Sequence, residues 1–274
     1  MPAFNEITVA QLGRLVGLPD APAIIDVRTD EDAAADPRLV PGAVRRDWRR
    51  AGEWGRAFSG RRAVVLCRRG LKLGQGVAAW LRHEGIETET LEGGFDAWAA
   101  AGMPLLRTDR LPRRDAEGRT LWVTRARPKV DRVACPWLIR RFVDASAVFL
   151  FVAPGEVPAV AERFGAAPFD AEGVEWSHRG EFCTFDVMLR ELGLETEALS
   201  RLAAVVRGAD TARFDLAPQA AGLLAVSLGL SRMHRDDLAQ LDAGMAVYDA
   251  LHRWCRDAVD ETHNWPAPGK GAAA

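Results

Sequence analysis

The stretch Ala63-Val-Val-Leu-Cys67-Arg-Arg-Gly70-Leu-Lys72-Leu-Gly74-Gln-Gly76 decides how the first part of the chain is read. Its opening is a compact β-branched run, the pattern of a strand buried on both faces of a parallel sheet. A turn with glycines at 70 and 74 follows at once, and Gln75 to Glu84 has the spacing of a helix, with Val77, Ala78, Leu81 and nearby Trp80 on its apolar side. Cys67 therefore stands where a strand gives way to a loop and then a helix. Loop amides and the amino end of a helix place partial positive charge near such a sulfur, and Arg68, Arg69 and Lys72 add full charges close in sequence. This is the setting of a nucleophilic cysteine. The competing reading is an inert strand-end thiol, since free cysteine is among the most buried residue types.

Working outward, Ala23-Ile-Ile-Asp26-Val27 is a second buried strand, Glu87 to Leu91 a third, and Gly93-Gly94 breaks the chain before a helix from Phe95 to Ala101. Strand and helix alternate, so residues 1–107 form a small α/β domain. Two other motifs overlap the cysteine turn. Gly74-Gln-Gly76-Val-Ala-Ala79 fits a dinucleotide fingerprint, but its first glycine falls seven residues after Cys67 instead of directly after the strand. A cysteine phosphatase loop would need arginine where Leu73 stands.

Residues 108–119, rich in Arg and Asp, read as a linker. Residues 120–260 read as a second domain, whose pattern opens at Leu121 and is mainly helical with some strand, an α+β domain. Val133 to Val143 predicts a helix, with Asp131 as its cap, Pro136 in its first turn, and Trp137 and Leu138 toward the core. Leu199, Leu202, Val205 and Val206 mark another. Leu238, Leu241, Met245, Tyr248, His252 and Cys255 trace a long seam, which could be core or a homodimer face. Residues 261–274, with His263 and Trp265, read as a mobile tail.

The whole chain has 274 residues, enough to bury roughly three quarters of the unfolded surface. Its 48% hydrophobic and 27% charged content excludes wholesale disorder. Thirty-six Lys+Arg against 38 Asp+Glu argue against a nucleic-acid partner, whose counterpart usually shows a basic total. No apolar run approaches the ~18 residues needed to span a bilayer, so no membrane partner is expected. The four cysteines include no C-x-x-C pair, which predicts free thiols and a cytoplasmic location.

In the second half, Arg125, Arg127, Lys129, Arg132, Arg140 and Arg141 form the densest basic stretch. A solvated helix face paired with acids is one reading, and an oxyanion site built from Arg132, Arg140 and Arg141 is the other. His178, Cys183 and Asp210, joined by Asp236-Asp237, offer imidazole, thiolate and carboxylate, donors that suit a transition metal such as zinc or iron. A hydrogen-bonded structural histidine is the plainer alternative.

Residues 5–105 resemble the rhodanese sulfurtransferases in four pieces taken in order. These are Ile25-Asp26-Val27-Arg28, Val40-Pro41-Gly42-Ala43, the Cys67 loop with Gly70 and Lys72, and Gly93-Gly94-Phe95-Asp96-Ala97-Trp98. The resemblance implies that Cys67 carries sulfur as a persulfide. Arg68, Arg69, Gly70 and Lys72 would then bind an anionic sulfur donor, Asp26 and Arg28 would be a supporting charged pair, and a thiol or cyanide-like acceptor would take the sulfur without any cofactor. Arg69 and Leu73 depart from the common form of that loop.

Residues 120–258 resemble the carboxy-terminal domain of the ChrB chromate-resistance family. Trp122-Val-Thr-Arg125, Asp131-Arg132, Trp137-Leu-Ile-Arg-Arg-Phe142, His178, Cys183-Thr-Phe185, Asp210 and Asp236-Asp237 carry that likeness. It implies a part in chromate resistance through sensing, redox protection or regulation. Two readings follow: a sulfurtransferase serving oxyanion or redox stress, and a metal- or chromate-responsive sensor on a non-catalytic scaffold.

Overall fold

The computed structural model describes residues 5–261, and the expectations for His263, Trp265 and the rest of the tail from 262 lie outside the described residues. The first half is a five-stranded parallel sheet in the order β1-β5-β4-β2-β3, where β1 is Glu6–Ile7, β2 Ala23–Asp26, β3 Ala43–Arg45, β4 Ala63–Leu66 and β5 Thr88–Leu91. Every residue of β2 and β4 is buried, as their unbroken β-branched runs require of strands covered on both faces. The connecting helices are α1 (Val9–Leu15), α2 (Asp30–Ala35), α3 (Ala51–Trp54), α4 (Lys72–His83) and α5 (Gly94–Ala100). Thr8 opens α1 through a capping box with Gln11, and Thr29 caps α2 ahead of three acids that complement its dipole.

In α4 the buried side is Gly74, Val77, Ala78 and Leu81, while Trp80, expected on that side, is 48% exposed. Two turns of Val and Leu already fill the space over the sheet, so the indole turns outward.

The second half has a three-stranded parallel sheet, β7-β6-β8, from β6 (Leu121–Arg125), β7 (Val148–Val152) and β8 (Ala167–Pro168). Around it lie α6 (Asp131–Phe142), α7 (Val157–Phe164), α8 (Thr184–Leu192), α9 (Glu197–Asp210), α10 (Ala220–Met233) and α11 (Asp237–Asp257). The molecule is thus parallel-sheet α/β with eleven α-helices among the described residues, and the helical weight falls in the second half.

Helix α6 departs from its expected start. Asp131 lies inside the helix, which makes Pro136 its sixth residue and deprives the Arg132 carbonyl of its i+4 donor. The residue before it, Val130, holds a positive φ of 37°, and its amide donates to Ser227 Oγ at 3.0 Å. Trp137 and Leu138 are fully buried, as the spacing predicts. The long seam is core: Leu241, Met245, Tyr248, His252 and Cys255 are all buried, and only Leu238, at its start, reaches the surface.

One apolar cluster runs through both halves, taking in Leu39, Val40, Trp98 and Leu106 together with Phe142, Val143 and Cys255. Phe142 is central to the contact. Its carbonyl accepts from Gly42 N at 2.6 Å, and a Cβ on Gly17 would lie 2.2 Å from its ring, so glycine is needed there for the chain to pass. The segment 108–119 bonds to both sides: Thr108 Oγ1 donates to the Pro37 carbonyl (3.0 Å), and Arg110 reaches Glu175 and Glu191.

Against Phe142 and Trp137 sits His252, 4% exposed, with ring centroids 5.6 and 5.4 Å away. Burial, helped by the nearby Arg256 charge, drops its pKa to about 4 from an ordinary 6.5. The unfolded chain therefore binds this proton more readily, and stability falls as pH drops from 6.5 toward 4. Between pH 7 and pH 4 the wild type should lose up to about 3 kcal/mol more unfolding free energy than His252→Gln in denaturant titrations. Equal losses in the two proteins would contradict this.

Candidate functional sites

The carboxyl ends of β2, β4 and β5 meet at one edge of the first sheet, the edge where open α/β sheets place their ligand sites. The loops after β4 and β5 interlock there. Phe95 N donates to the Cys67 carbonyl and Asp96 N to the Arg68 carbonyl, both at 2.9 Å. Gly94 has a φ of 62°, and a Cβ on it would fall 2.3 Å from the Cys67 carbonyl oxygen. Gly70, at φ 67°, faces the Leu91 carbonyl in the same way. Two left-handed glycines are what allow two backbones to approach this closely.

Cys67 itself is 5% exposed, and its Sγ is 3.8 Å from the Leu71 carbonyl oxygen. Helix α4 opens at Lys72 with no side-chain cap on its amides. Gly74 brings that first turn alongside the sulfur, since a Cβ on it would sit 3.3 Å from Cys67 Sγ.

The cations of the loop divide. Arg68 is taken up by Asp32 (3.1 Å) and Asp96 (3.3 Å), which leaves its guanidinium committed to carboxylates instead of an anionic donor. Arg69 is 70% exposed and only 4.0 Å from Asp96. Lys72 has no carboxylate partner among the described residues. It lines a pocket of about 480 Å³ with Trp48, Arg49, Arg50, Leu73 and Trp80. A smaller, polar pocket of about 270 Å³ lies at Arg28, Arg45, Arg46 and Arg49. Trp48, Arg46, Arg49 and Arg50 were missed by the sequence reading. The signal was the Arg45-Arg-Asp-Trp-Arg-Arg50 run, which only the fold brings beside α4.

Asp26 and Arg28 form a buried pair, Nη2 to Oδ2 at 2.7 Å. Arg28 also donates to the Asp36 and Arg38 carbonyls and lies 3.8 Å over the Phe95 ring. The pair therefore braces Phe95, whose amide grips the Cys67 loop.

A second cluster forms in the other half. Asp131 opens α6, Asp170 follows β8 at a φ of 47°, His178 lies in the loop before α8, and Asp210 ends α9. Their carboxylates stand 3.6, 3.5 and 3.1 Å from His178 Nε2. Asp131 was expected to cap its own helix. It accepts instead from the amides of Thr184 (2.6 Å) and Phe185 (3.1 Å), capping α8 from 53 residues away. Asp170 accepts from Thr184 Oγ1 at one oxygen and from Arg125 and Arg132 at the other.

The electrostatics follow from that crowding. Burial, then the Asp210 and Asp170 charges, push Asp131 up to about 8. Burial and Asp170 likewise raise Asp210. Asp170 goes the other way: burial opposes its charge, but bonds from His178 and Thr184 and the Arg125 and Arg132 charges outweigh it. His178 is raised to about 9 by its hydrogen bond to Asp170, against burial and with help from Asp131 and Asp210. The cluster is thus built to hold positive charge among carboxylates.

Not every expected member joins it. Cys183 is fully buried and donates from Sγ to Asp186 Oδ2 (3.2 Å), whose other oxygen takes Arg207 at 2.8 Å. Its thiol is pushed well up by burial and the neighbouring Asp131 and Asp186, the opposite of what a thiolate ligand needs. Asp236 caps α11 and Asp237 accepts from Arg127 N, so neither reaches His178. Asp170 was missed, because a single aspartate after a two-residue strand carries no motif.

The proposed oxyanion set also comes apart. Arg140 pairs with Asp242 (2.8 Å), and Arg141 grips Asp249 with two 2.8 Å bonds. Arg132 turns inward to Asp170 and to the Arg125 and Ala126 carbonyls. The partners of Arg140 and Arg141 come from α11, about a hundred residues on.

Among the described residues no helix is long and apolar enough to cross a membrane. The family described as "ChrB, C-terminal domain" matches residues 122–255. Protein ChrB of Cupriavidus metallidurans is 34% identical over 171 residues, which cover 61% of this chain and 51% of that protein. The chain spans about half the length of this curated relative. Two solved structures resemble the amino-terminal part. A rhodanese-related protein from Thermoplasma volcanium is 18% identical, with a TM-score of 0.33, 38% of this chain and 98% of that chain covered. A rhodanese-like domain protein from Staphylococcus aureus is 28% identical, with a TM-score of 0.31, 35% of this chain and 91% of that chain covered. Residues 122–255, which follow the five-stranded parallel sheet in the chain, are thus similar to the ChrB C-terminal domain family.

Proposed function

We propose that the chain is a sulfurtransferase that carries sulfane sulfur on Cys67, coupled to a ChrB-type domain that serves the response to oxyanion or redox stress. The observation that carries this reading is the interlocked glycine loops: they hold Cys67 at the sheet's carboxyl edge, beside an uncapped helix start that opens with Lys72, a cation with no carboxylate partner among the described residues. Amides and a cation near the sulfur suit an anionic donor and a persulfide anion.

With thiosulfate as donor, the Cys67 thiolate attacks the outer sulfur. A Cys–S bond forms, the S–S bond of thiosulfate breaks, and sulfite leaves with the electron pair. A thiol or cyanide then attacks the outer sulfur of the persulfide, and Cys67 leaves as thiolate. No electrons are lost or gained overall and no cofactor is called for. Lys72 and Arg69 face the donor's charge, Gly70 shapes the loop, and Arg68 orients it through Asp32 and Asp96. The link to chromate resistance rests on the ChrB domain, and on the shape and charge that chromate shares with sulfur oxyanions.

Intact-protein mass spectrometry after thiosulfate, and again after cyanide, tests the reading. Wild type should gain one sulfur atom and lose it to cyanide, while Cys67→Ser should gain none with an unchanged thermal melt. A sulfur adduct on the serine variant, or none on wild type with thiosulfate, polysulfide or a persulfide donor, would overturn it. Lys72→Ala should raise KM for thiosulfate roughly tenfold, the scale of one charge-assisted contact, with little change in the rate of cyanide transfer.

A further inference from the structure

The geometry points to a divalent transition-metal site in the ChrB-type half, with Asp131, Asp170 and His178 as ligands and Asp210 closing it. The inference is independent of sulfur transfer on Cys67. One donor atom from each of Asp131, Asp170 and His178 lies within 4.8 Å of the others. The three carboxylates stand 3.1, 3.5 and 3.6 Å from His178 Nε2. An ion bonded at ~2.1 Å to each donor spaces neighbouring donors by ~3.0 Å in an octahedron and ~3.4 Å in a tetrahedron. The separations of His178 Nε2 from the three carboxylates fall near those edges. The Asp131 and Asp170 oxygens lie within 4.8 Å of each other, so these two carboxylates have to draw together by no more than about 1.5 Å around an ion.

The donors are also held as ligands are held. Asp131 is fixed by two backbone amides, and Asp170 by the Thr184 hydroxyl on one oxygen and two arginines on the other. Such outer bonds orient ligands and are part of metal sites. Each carboxylate oxygen has two lone pairs, so an oxygen that accepts one bond keeps a second for an ion. The four residues come from the start of α6, the end of β8, the loop before α8 and the end of α9, four places that only the fold unites. One imidazole with carboxylates, and no thiolate, favours a borderline-to-hard ion such as Mn²⁺, Fe²⁺ or Zn²⁺. His178, 40% exposed, gives the site its opening to solvent.

The test uses the full chain, stripped with a chelator and titrated with MnCl2 by calorimetry, with pulsed electron paramagnetic resonance of the bound ion. Wild type should bind one Mn²⁺ per chain, show nitrogen modulation from an imidazole, and release the ion to Zn²⁺. His178→Ala should lose that modulation and at least tenfold in affinity. Asp210→Asn, at a partly exposed position, should weaken binding at least threefold and serves if the histidine variant melts early. Cys183→Ser should bind as wild type does. No saturable binding by wild type, nitrogen modulation that survives in His178→Ala, or a loss in Cys183→Ser equal to that in His178→Ala would each overturn the site.

Discussion

The buried carboxylate of Asp131 is the contact on which the second half depends. A carboxyl group that is only 1% exposed costs several kcal/mol to desolvate unless its lone pairs are met. Its partners here are the first amides of α8, which have no acceptor within their own helix. One bond set thus solves two problems, and it fixes the start of α6 against the start of α8. Thr184 then passes the arrangement on to Asp170 through its hydroxyl, and Asp170 to Arg125 and Arg132. His178 and Asp210 complete a shell whose geometry follows from that first contact.

In the first half the corresponding constraint is steric. The chain after β4 and the chain after β5 share a space in which a single Cβ would collide with a carbonyl oxygen. Gly70 and Gly94 meet it with positive φ, and the Asp26–Arg28 pair holds Phe95 against the result. Cys67 is consequently placed by backbone, with little freedom left to its own side chain. The two halves are not separate bodies joined by a tether. Phe142 and Trp98 contribute to one apolar cluster, and residues between the halves bond to both.

The many arginines have a structural explanation that composition does not supply. Arg28, Arg68, Arg110, Arg132, Arg140 and Arg141 each reach a carboxylate, several of them on elements far away in sequence. The planar guanidinium, able to bond two or more acceptors at once, suits this use better than an ammonium. Arg127 shows the same economy by bonding the carbonyls at the end of α10. Lys72 and Arg46 line pockets beside Trp48 and have no carboxylate partner among the described residues, while Arg49 and Arg50 there reach Asp47 and Glu53.

Local pattern alone determined a good deal here. The buried strands β2 and β4, the cysteine turn between strand and helix, the helical character of the second half and the apolar seam of α11 were all legible, though not that this seam faced the core. Each depends on neighbours within a few residues and on the fixed periods of strand and helix. Asp26, Arg28 and Cys67 could be found because their neighbours carry a motif. Tertiary structure decided what those residues touch. It turned Asp131 from the cap of its own helix into the cap of another, brought in Asp170 and left out Cys183. It also spent Arg140 and Arg141 on α11 and turned Trp80 outward. Every one of these outcomes depends on contacts between elements tens to a hundred residues apart, and the spacing of residues along a chain holds no record of such distances.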